Sequence, residues 1–427
     1  MADIFIIHGG KPLQGEIAIR GSKNATLPIF AASMLNRGST RLENAAMIQD
    51  VFKLGEILNA WGAKTQINSH TITINAGACA SVFSNTQADA LVRKLRGSVL
   101  CIGAMLARFG EIRIPLPGGD TIGARPLDAL FDGLRALGAC IEQNKDVLDI
   151  CAPQGLHAAK MVLKETSVTA TEALMMASAG AEGTTIIKLA ATEPHVQDLG
   201  AFLQKLGVRI EGLGTSTIII HGIDASAIRM DVTHAIISDS DEAVNIAVLC
   251  AATRSEVQIS NINPDFIDAG ILQLQLMGAN IEFGDTWMRV HKPADIYRAA
   301  KIQCGLYPKL MSDQVPPFAL LATQAQGVSM IQEWMYEGRL GYVNEIIKMG
   351  ANAIIMDPHR ALIVGPTVLR GAELKSLDIR AGITMIIAGL VAQGETTILD
   401  AHIIDRGFEQ IEQRLQQIGA DIVRKQV

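Results

Sequence analysis

One phrase recurs along the chain: apolar residues at helical spacing run into a glycine, and an alternating segment follows at once. It reads Trp61-Gly62-Ala63, Leu137-Gly138-Ala139, Leu206-Gly207-Val208, Met277-Gly278-Ala279, Met349-Gly350-Ala351 and Ile418-Gly419-Ala420. Leu130, Leu134 and Leu137 show the helical spacing, which gathers apolar side chains on one helix face; Ile281-Glu282-Phe283 shows the alternation of a strand. Glycine at the junction predicts a helix C-cap, where positive φ is cheap. Upstream, a second turn and strand recur, as in Glu182-Gly183-Thr184-Thr185-Ile186-Ile187 and Gly394-Glu395-Thr396-Thr397-Ile398-Leu399. The glycines stand 76, 69, 71, 72 and 69 residues apart, a period longer than the ~20–50 residues of solenoid repeats. The pattern predicts six copies of one mixed α/β unit.

Six units fit one ring, two groups of three or an open stack, and periodicity does not choose among them. No Pro/Gly/Ser-rich linker marks a boundary; Gly21 to Asn24 and Arg229 to Asp231 are the candidate crossing points. At about 150 residues per domain, 427 residues make two or three domains. A hydrophobic fraction of 49% excludes a disordered chain, and with only 4% aromatic residues the aliphatics and Met must fill the interior.

The net charge of -6 comes without blocks of like charge, which argues against a nucleic-acid or acidic-membrane partner. An anionic ligand would have to be held by a few placed arginines and lysines. The six cysteines form no CxxC pair or Cys/His cluster, so neither a metal site nor a disulfide framework is expected. The N-terminus lacks a signal-peptide pattern, and the longest apolar stretch, Ile383 to Ala392, is half a membrane span. A soluble protein of the reducing cytoplasm is expected.

Four segments concentrate charge among glycines and prolines, as ligand-approaching loops do. In Arg20-Gly21-Ser22-Lys23-Asn24-Ala25, Lys23 offers a cation and Asn24 a two-sided amide; alone the pair also suits a solvated turn. In Leu116-Pro117-Gly118-Gly119-Asp120-Thr121-Ile122-Gly123-Ala124-Arg125-Pro126, Asp120 sits at a loop tip and Arg125 is suited to clamp a phosphate or carboxylate, while Asp120 is equally suited to cap a helix. Asp378-Ile379-Arg380-Ala381-Gly382 and Ile404-Asp405-Arg406-Gly407-Phe408 each set an Asp just before an Arg, an arrangement for holding a guanidinium rigid, or an ordinary surface ion pair. His195 and His234 read as ordinary polar residues, and neither a Walker loop nor a GxGxxG turn is present.

Taken together, GSKNATLP at Lys23, LPGGDTIGARP, SVTATE at Ser167, EGTTII, DIRAG at Arg380 and IIDRGFEQIE at Arg406 resemble the enolpyruvyl transferase family, on the branch that uses UDP-N-acetylglucosamine. The resemblance runs from about Gly9 to Val423, and the GNAGTA motif of the shikimate-pathway branch is absent. It implies a two-domain inside-out α/β barrel of six βαβαββ repeats. It divides the chain into residues 1–21 plus 230–427 and residues 22–229, with a mobile loop near 112–126 and a site in the cleft between the domains. The implied reaction moves the enolpyruvyl group of phosphoenolpyruvate onto the 3'-hydroxyl of UDP-N-acetylglucosamine, through a tetrahedral ketal, with release of phosphate. No cofactor and no metal is implied; the two small molecules are the partners of a monomer or weak oligomer, with no nucleic acid or membrane involved.

By the same resemblance Lys23, Arg125 and Arg406 face the phosphate of phosphoenolpyruvate, Arg339 and Arg380 its carboxylate, and Asn24 adjoins them. Asn24, Arg96, Arg125, Ser167, Val168, Asp313 and Met335 fall where the family binds the nucleotide sugar. Asp313 is the implied base for the sugar hydroxyl, Asp120 the implied acid for the methylene carbon, and Lys23 and Arg406 complete the catalytic set. Asp378 and Glu193 are read as acidic support. Most of the family carries Cys where this chain has Asp120, which implies resistance to fosfomycin. Other departures are Thr169 in the family's SVG, Thr192 in AREP, Ile403 in HIDRG and Gly338 in ENR. They fall on the sugar side, so two alternatives stand beside the main reading: a different uridine nucleotide as acceptor, and a non-catalytic paralogue that binds a UDP-sugar. An RNA-processing cyclase is disfavoured by the acidic balance.

Overall fold

A computed structural model describes residues 3–79, 86–118 and 126–426. The six junction glycines all have positive φ, from 93° at Gly62 to 102° at Gly278. Each ends its helix in the same way. The glycine N–H bonds the carbonyl three residues back, and the next N–H reaches five back, as in Gly62 to Asn59 at 2.9 Å and Ala63 to Leu58 at 3.0 Å. This double bond pattern satisfies carbonyls that a helix end would otherwise leave bare, and it turns the chain into the following strand.

Contacts divide the described residues into two compact units, one of 3–20 and 238–426, the other of 21–118 and 126–237. In the first, the helices Ser240–Ala252, Val315–Ala322 and Ile379–Val391 pack on one another. They are largely apolar beyond their first turns, and Asp241–Ala252, Val315–Ala322 and Ile379–Leu390 are buried throughout, which places them inside with the sheets around them. Full burial of each Ile, Leu or Met there is worth about 1.5–3 kcal/mol. The second unit repeats the plan with Lys23–Ala32, Cys101–Phe109 and Val168–Ala179. Gly103 permits the contact between two of these: a Cβ on it would stand 1.9 Å from the Ala173 carbonyl oxygen.

Each buried helix leads into a strand and an outer helix with a glycine cap, and in five of the six a hairpin follows; after Ile411–Gln417 the single strand Asp421–Gln426 pairs with Asp3–His8 instead. Lys160–Val162, Val168–Ala179, Thr184–Lys188, Pro194–Lys205, Arg209–Glu211 and Thr217–His221 spell out one complete βαβαββ repeat. Its first and third elements pair parallel and the hairpin antiparallel, in the order Arg209–Glu211, Thr217–His221, Thr184–Lys188, Lys160–Val162. The described residues form six sheets, three in each unit.

The two strands that precede the crossings each pair with a distant stretch of their own unit. Gln14–Ala18 pairs parallel with Glu256–Ser260, and Val232–Ala235 pairs parallel with Ser39–Glu43. The chain therefore crosses at 20/21 and 237/238. A boundary at 229/230 would cut Val232–Ala235 from its own sheet. Strand Asp3–His8 likewise completes a sheet with Asp421–Gln426, so the two ends of the described chain are neighbours in space. Of the loop expected near 112–126, Glu111–Pro115 is a strand paired with Val147–Cys151, and 119–125 lie outside the described residues.

Candidate active site

In the unit formed by 3–20 and 238–426, the N-termini of all three buried helices converge, because their first-turn side chains bond one another. Asp241 opens Ser240–Ala252, Asp313 lies in the 3-10 turn Ser312–Gln314 that leads into Val315–Ala322, and Arg380 opens Ile379–Val391. Arg380 Nε donates to Asp313 Oδ2 at 2.9 Å and its Nη2 to Asp241 Oδ2 at 3.3 Å. Gln314 Nε2 reaches the other oxygen of Asp241 at 3.1 Å. Three helix N-termini favour negative charge here, which accounts for the aspartates.

Arg339 enters from the segment after strand Ala325–Gln332 and places Nη2 2.7 Å from Asp313 Oδ1. Its Nη1 donates to Ser312 Oγ at 2.8 Å. One carboxylate thus lies between two guanidinium forks. The forks are only 4% and 5% exposed while the Asp313 side chain is 30% exposed, so the carboxylate is the face the cluster shows to solvent. Burial would raise the Asp313 pKa, but Arg380 and Arg339 outweigh it and hold the group well below the usual carboxylate range. Burial, with Asp313 and Asp239 nearby, pushes Asp241 up to about 7 against the pull of Arg380.

Each aspartate of the two Asp-Arg motifs is engaged away from the neighbouring guanidinium. Asp378 caps its helix, accepting the N–H groups of Arg380 at 2.8 Å and Ala381 at 3.0 Å, and the Arg380 guanidinium goes to Asp313 and Asp241. Asp405 clasps Arg424 on the last strand, at 2.6 and 2.9 Å. Their glycines interlock the motifs instead. A Cβ on Gly382 would stand 2.4 Å from Ile404 Cγ1, and one on Gly407 would stand 2.3 Å from Ile379 Cγ2. That contact brings the turn ending at half-buried Arg406 against the helix that begins beside Arg380.

In the other unit the expected residues again stand where buried helices begin. Ser22 caps Lys23–Ala32 through the N–H of Ala25 at 3.2 Å; Lys23 and Asn24 are its first residues, and Lys23 Nζ lies 3.3 Å from Asp50 Oδ2. Arg96 opens the 3-10 turn Arg96–Leu100 that runs into Cys101–Phe109. Ser167 caps Val168–Ala179 through Ala170 N–H at 3.3 Å, and Val168 follows it. Glu193, buried, stands before Pro194–Lys205. Burial, reinforced by the charge of Glu193, keeps the Glu172 carboxyl well above its usual range. Met335 is half-buried against the core of the first unit, and Asp120 and Arg125 lie outside the described residues.

Sequence reasoning passed over Asp241, Ser312 and Glu333. Asp241 is announced by the Ser-Asp-Ser-Asp-Glu run before an apolar helix, a capping signal. His234, read as ordinary, makes a buried pair with Asp198, Nε2 to Oδ1 at 2.9 Å.

The sequence profile of the family described as EPSP synthase (3-phosphoshikimate 1-carboxyvinyltransferase) matches residues 7–415. The chain belongs to this family of enolpyruvyl transferases. It is 38% identical over 423 residues to the UDP-N-acetylglucosamine 1-carboxyvinyltransferase of Coxiella burnetii, covering 99% of this chain and 96% of that one. It is 39% identical over 427 residues to the protein of the same name from Trichormus variabilis, covering 99% and 94%. Among solved structures, the enolpyruvyl transferase NikO from Streptomyces tendae superposes with a TM-score of 0.89 at 25% identity, over 100% of this chain and 99% of that one. EPSP synthase from Acinetobacter baumannii shares the fold at a TM-score of 0.75 and 18% identity, over 100% of each chain.

Proposed function

We propose that this protein transfers the enolpyruvyl group of phosphoenolpyruvate to the 3'-hydroxyl of UDP-N-acetylglucosamine and releases phosphate, the first committed step of peptidoglycan synthesis, in the cytoplasm. The observation that carries the reading is Asp313 between the buried forks of Arg339 and Arg380. On this reading Asp313 is the base, beside two cations shaped for a carboxylate. The full-length relatives named for this activity support the same reading.

In the addition step the hydroxyl oxygen bonds to C2 of phosphoenolpyruvate, its proton passes to Asp313, and C3 takes a proton from Asp120. In the elimination step C3 loses a proton and the C2–O bond to phosphate breaks. Arg339 and Arg380 hold the substrate carboxylate; Lys23, Arg125 and Arg406 take the phosphate and stabilise the charge it gathers. An acid at Asp120 must keep its proton near neutrality. From an ordinary value of ~3.9 that asks a rise of ~3 units, about 4 kcal/mol, the size of shift that burial beside other anions can produce.

Phosphate release from phosphoenolpyruvate, with and without UDP-N-acetylglucosamine, tests the proposal. Release only with both substrates, and a product heavier by the enolpyruvyl group, is expected. No release, with UDP-N-acetylglucosamine still bound, would favour a binding paralogue. The departures at Thr169, Thr192 and Ile403 favour a second reading, the same chemistry on another uridine nucleotide, and a panel of acceptors in the same assay decides it.

A further inference from the structure

Strand Ala325–Gln332 turns Ser329 and Ile331 inward, and the same alternation carries Glu333 into the core, where it is 1% exposed. A carboxylate there is costly unless its oxygens are satisfied. They are: Oε1 accepts from Cys304 Sγ at 3.2 Å and from Met335 N–H at 3.0 Å, and Oε2 accepts from Ser312 Oγ at 2.5 Å. The same Ser312 oxygen accepts from Arg339 Nη1. We propose that Glu333 is a positioning residue for phosphoenolpyruvate, acting through Ser312 to fix the Arg339 fork; this rests on the assignment of Arg339 to the substrate carboxylate.

The direction of the chain follows from donor and acceptor chemistry. Arginine only donates, and a hydroxyl has one proton. With its proton given to Glu333, Ser312 presents a lone pair to Arg339. Arg339 therefore has a carboxylate behind each terminal nitrogen, Asp313 directly on Nη2 and Glu333 through one hydroxyl on Nη1. When Asp313 takes a proton its charge is lost, and Glu333 is the counter-charge that keeps the fork in place. A glutamine at this position has one acceptor oxygen to meet three donors, so its amide would oppose either Ser312 or the Met335 N–H.

Steady-state kinetics of Glu333→Gln test this. The KM for phosphoenolpyruvate is expected to rise about tenfold or more, with the KM for UDP-N-acetylglucosamine within about twofold, as loss of one charged hydrogen-bond chain implies. Ser312→Ala should reproduce the split, and the double variant should be no worse than either alone, because the two act through one chain. Cys304→Ala, which touches Glu333 outside the chain to Arg339, should leave both constants unchanged. An unchanged KM for phosphoenolpyruvate in Glu333→Gln, an equal rise in both constants, or additive effects in the double variant would overturn the proposal. If Glu333→Gln fails to fold, Ser312→Ala alone decides. Calorimetric titration with phosphoenolpyruvate reads the same weakening without turnover, so failure of the proposed activity and failure of the Glu333 effect are separate results.

Discussion

Asp405 offers both carboxylate oxygens to Arg424, at 2.6 and 2.9 Å, and so ties the turn that ends in Arg406 to the last strand of its unit. Arg424 also bonds Glu412 at 2.9 Å and Asp3 at 3.3 Å, and its guanidinium lies over the Phe5 ring at 4.6 Å. One residue thus binds the first strand, the last strand and the Arg406 turn.

Arg424→Met leaves three neighbouring carboxylates without their common cation. A loss of about 1–3 kcal/mol is expected, between the values for exposed and buried pairs. Turnover should fall further than stability accounts for, since Arg406 loses its support. Arg424→Lys should lie between, having the charge without the two-pronged geometry. Urea unfolding alongside phosphate release measures both; turnover unchanged in Arg424→Met would separate this network from Arg406.

Much of the fold is legible because its signal is local. A helix that ends in glycine needs only the residues of its last turn, and all six such ends could be read at Gly62, Gly138, Gly207, Gly278, Gly350 and Gly419. The pairing of Gln14–Ala18 and Val232–Ala235 is not local: each strand's partner lies far away in the sequence, such as Thr40 for Val232. The same holds at the site. That Arg380 matters is visible in its motif, but its true partners, Asp313 and Asp241, lie 67 and 139 positions off. Glu333 had one signal, a carboxylate in the inward phase of an alternating strand, and that phase is plain only once Ser329 and Ile331 are known to be buried.

Asp313→Asn should separate binding from chemistry. The amide cannot take the acceptor proton, so turnover is expected to fall by about 10²–10⁴. Binding of phosphoenolpyruvate should hold or tighten, because the carboxylate that competes for Arg339 and Arg380 has gone. Calorimetry on the folded variant checks this. Weaker binding together with near-normal turnover would reverse both halves of the assignment.

Stability should depend on pH through two aspartates of opposite sign. Asp313 is depressed in the folded protein, so its contribution is full above its unfolded pKa of about 3.9 and is lost as pH falls below it. Asp241 is raised to about 7 by burial. The folded protein then keeps a proton that the unfolded chain has lost from pH ~4 upward, and stability declines as pH rises toward 7. Asp241→Asn should remove that decline, so its Tm relative to wild type should climb between pH 4 and 7 and level off above. A difference in Tm that stays constant with pH would mean Asp241 is ionised throughout.

The sharpest contrast with the family concerns Asp120. Fosfomycin inactivates family members by alkylating the loop cysteine, whose thiolate is a strong nucleophile. A carboxylate attacks an epoxide far more slowly, and a carboxyl kept protonated to act as an acid attacks more slowly still. The wild-type protein should therefore keep its activity through prolonged incubation with fosfomycin. Its turnover should fall as Asp120 ionises toward high pH, while a thiol of pKa ~8.5 would hold its proton longer. Asp120→Cys should retain turnover, gain activity at the alkaline end and acquire time-dependent inactivation. If Asp120 only caps a helix, the substitution should leave fosfomycin sensitivity unchanged. Mass spectrometry after incubation separates the two: one covalent adduct on the introduced thiol of an active Asp120→Cys variant and none on the wild type is expected, and an adduct on Asp120 itself would refute its role as a protonated acid.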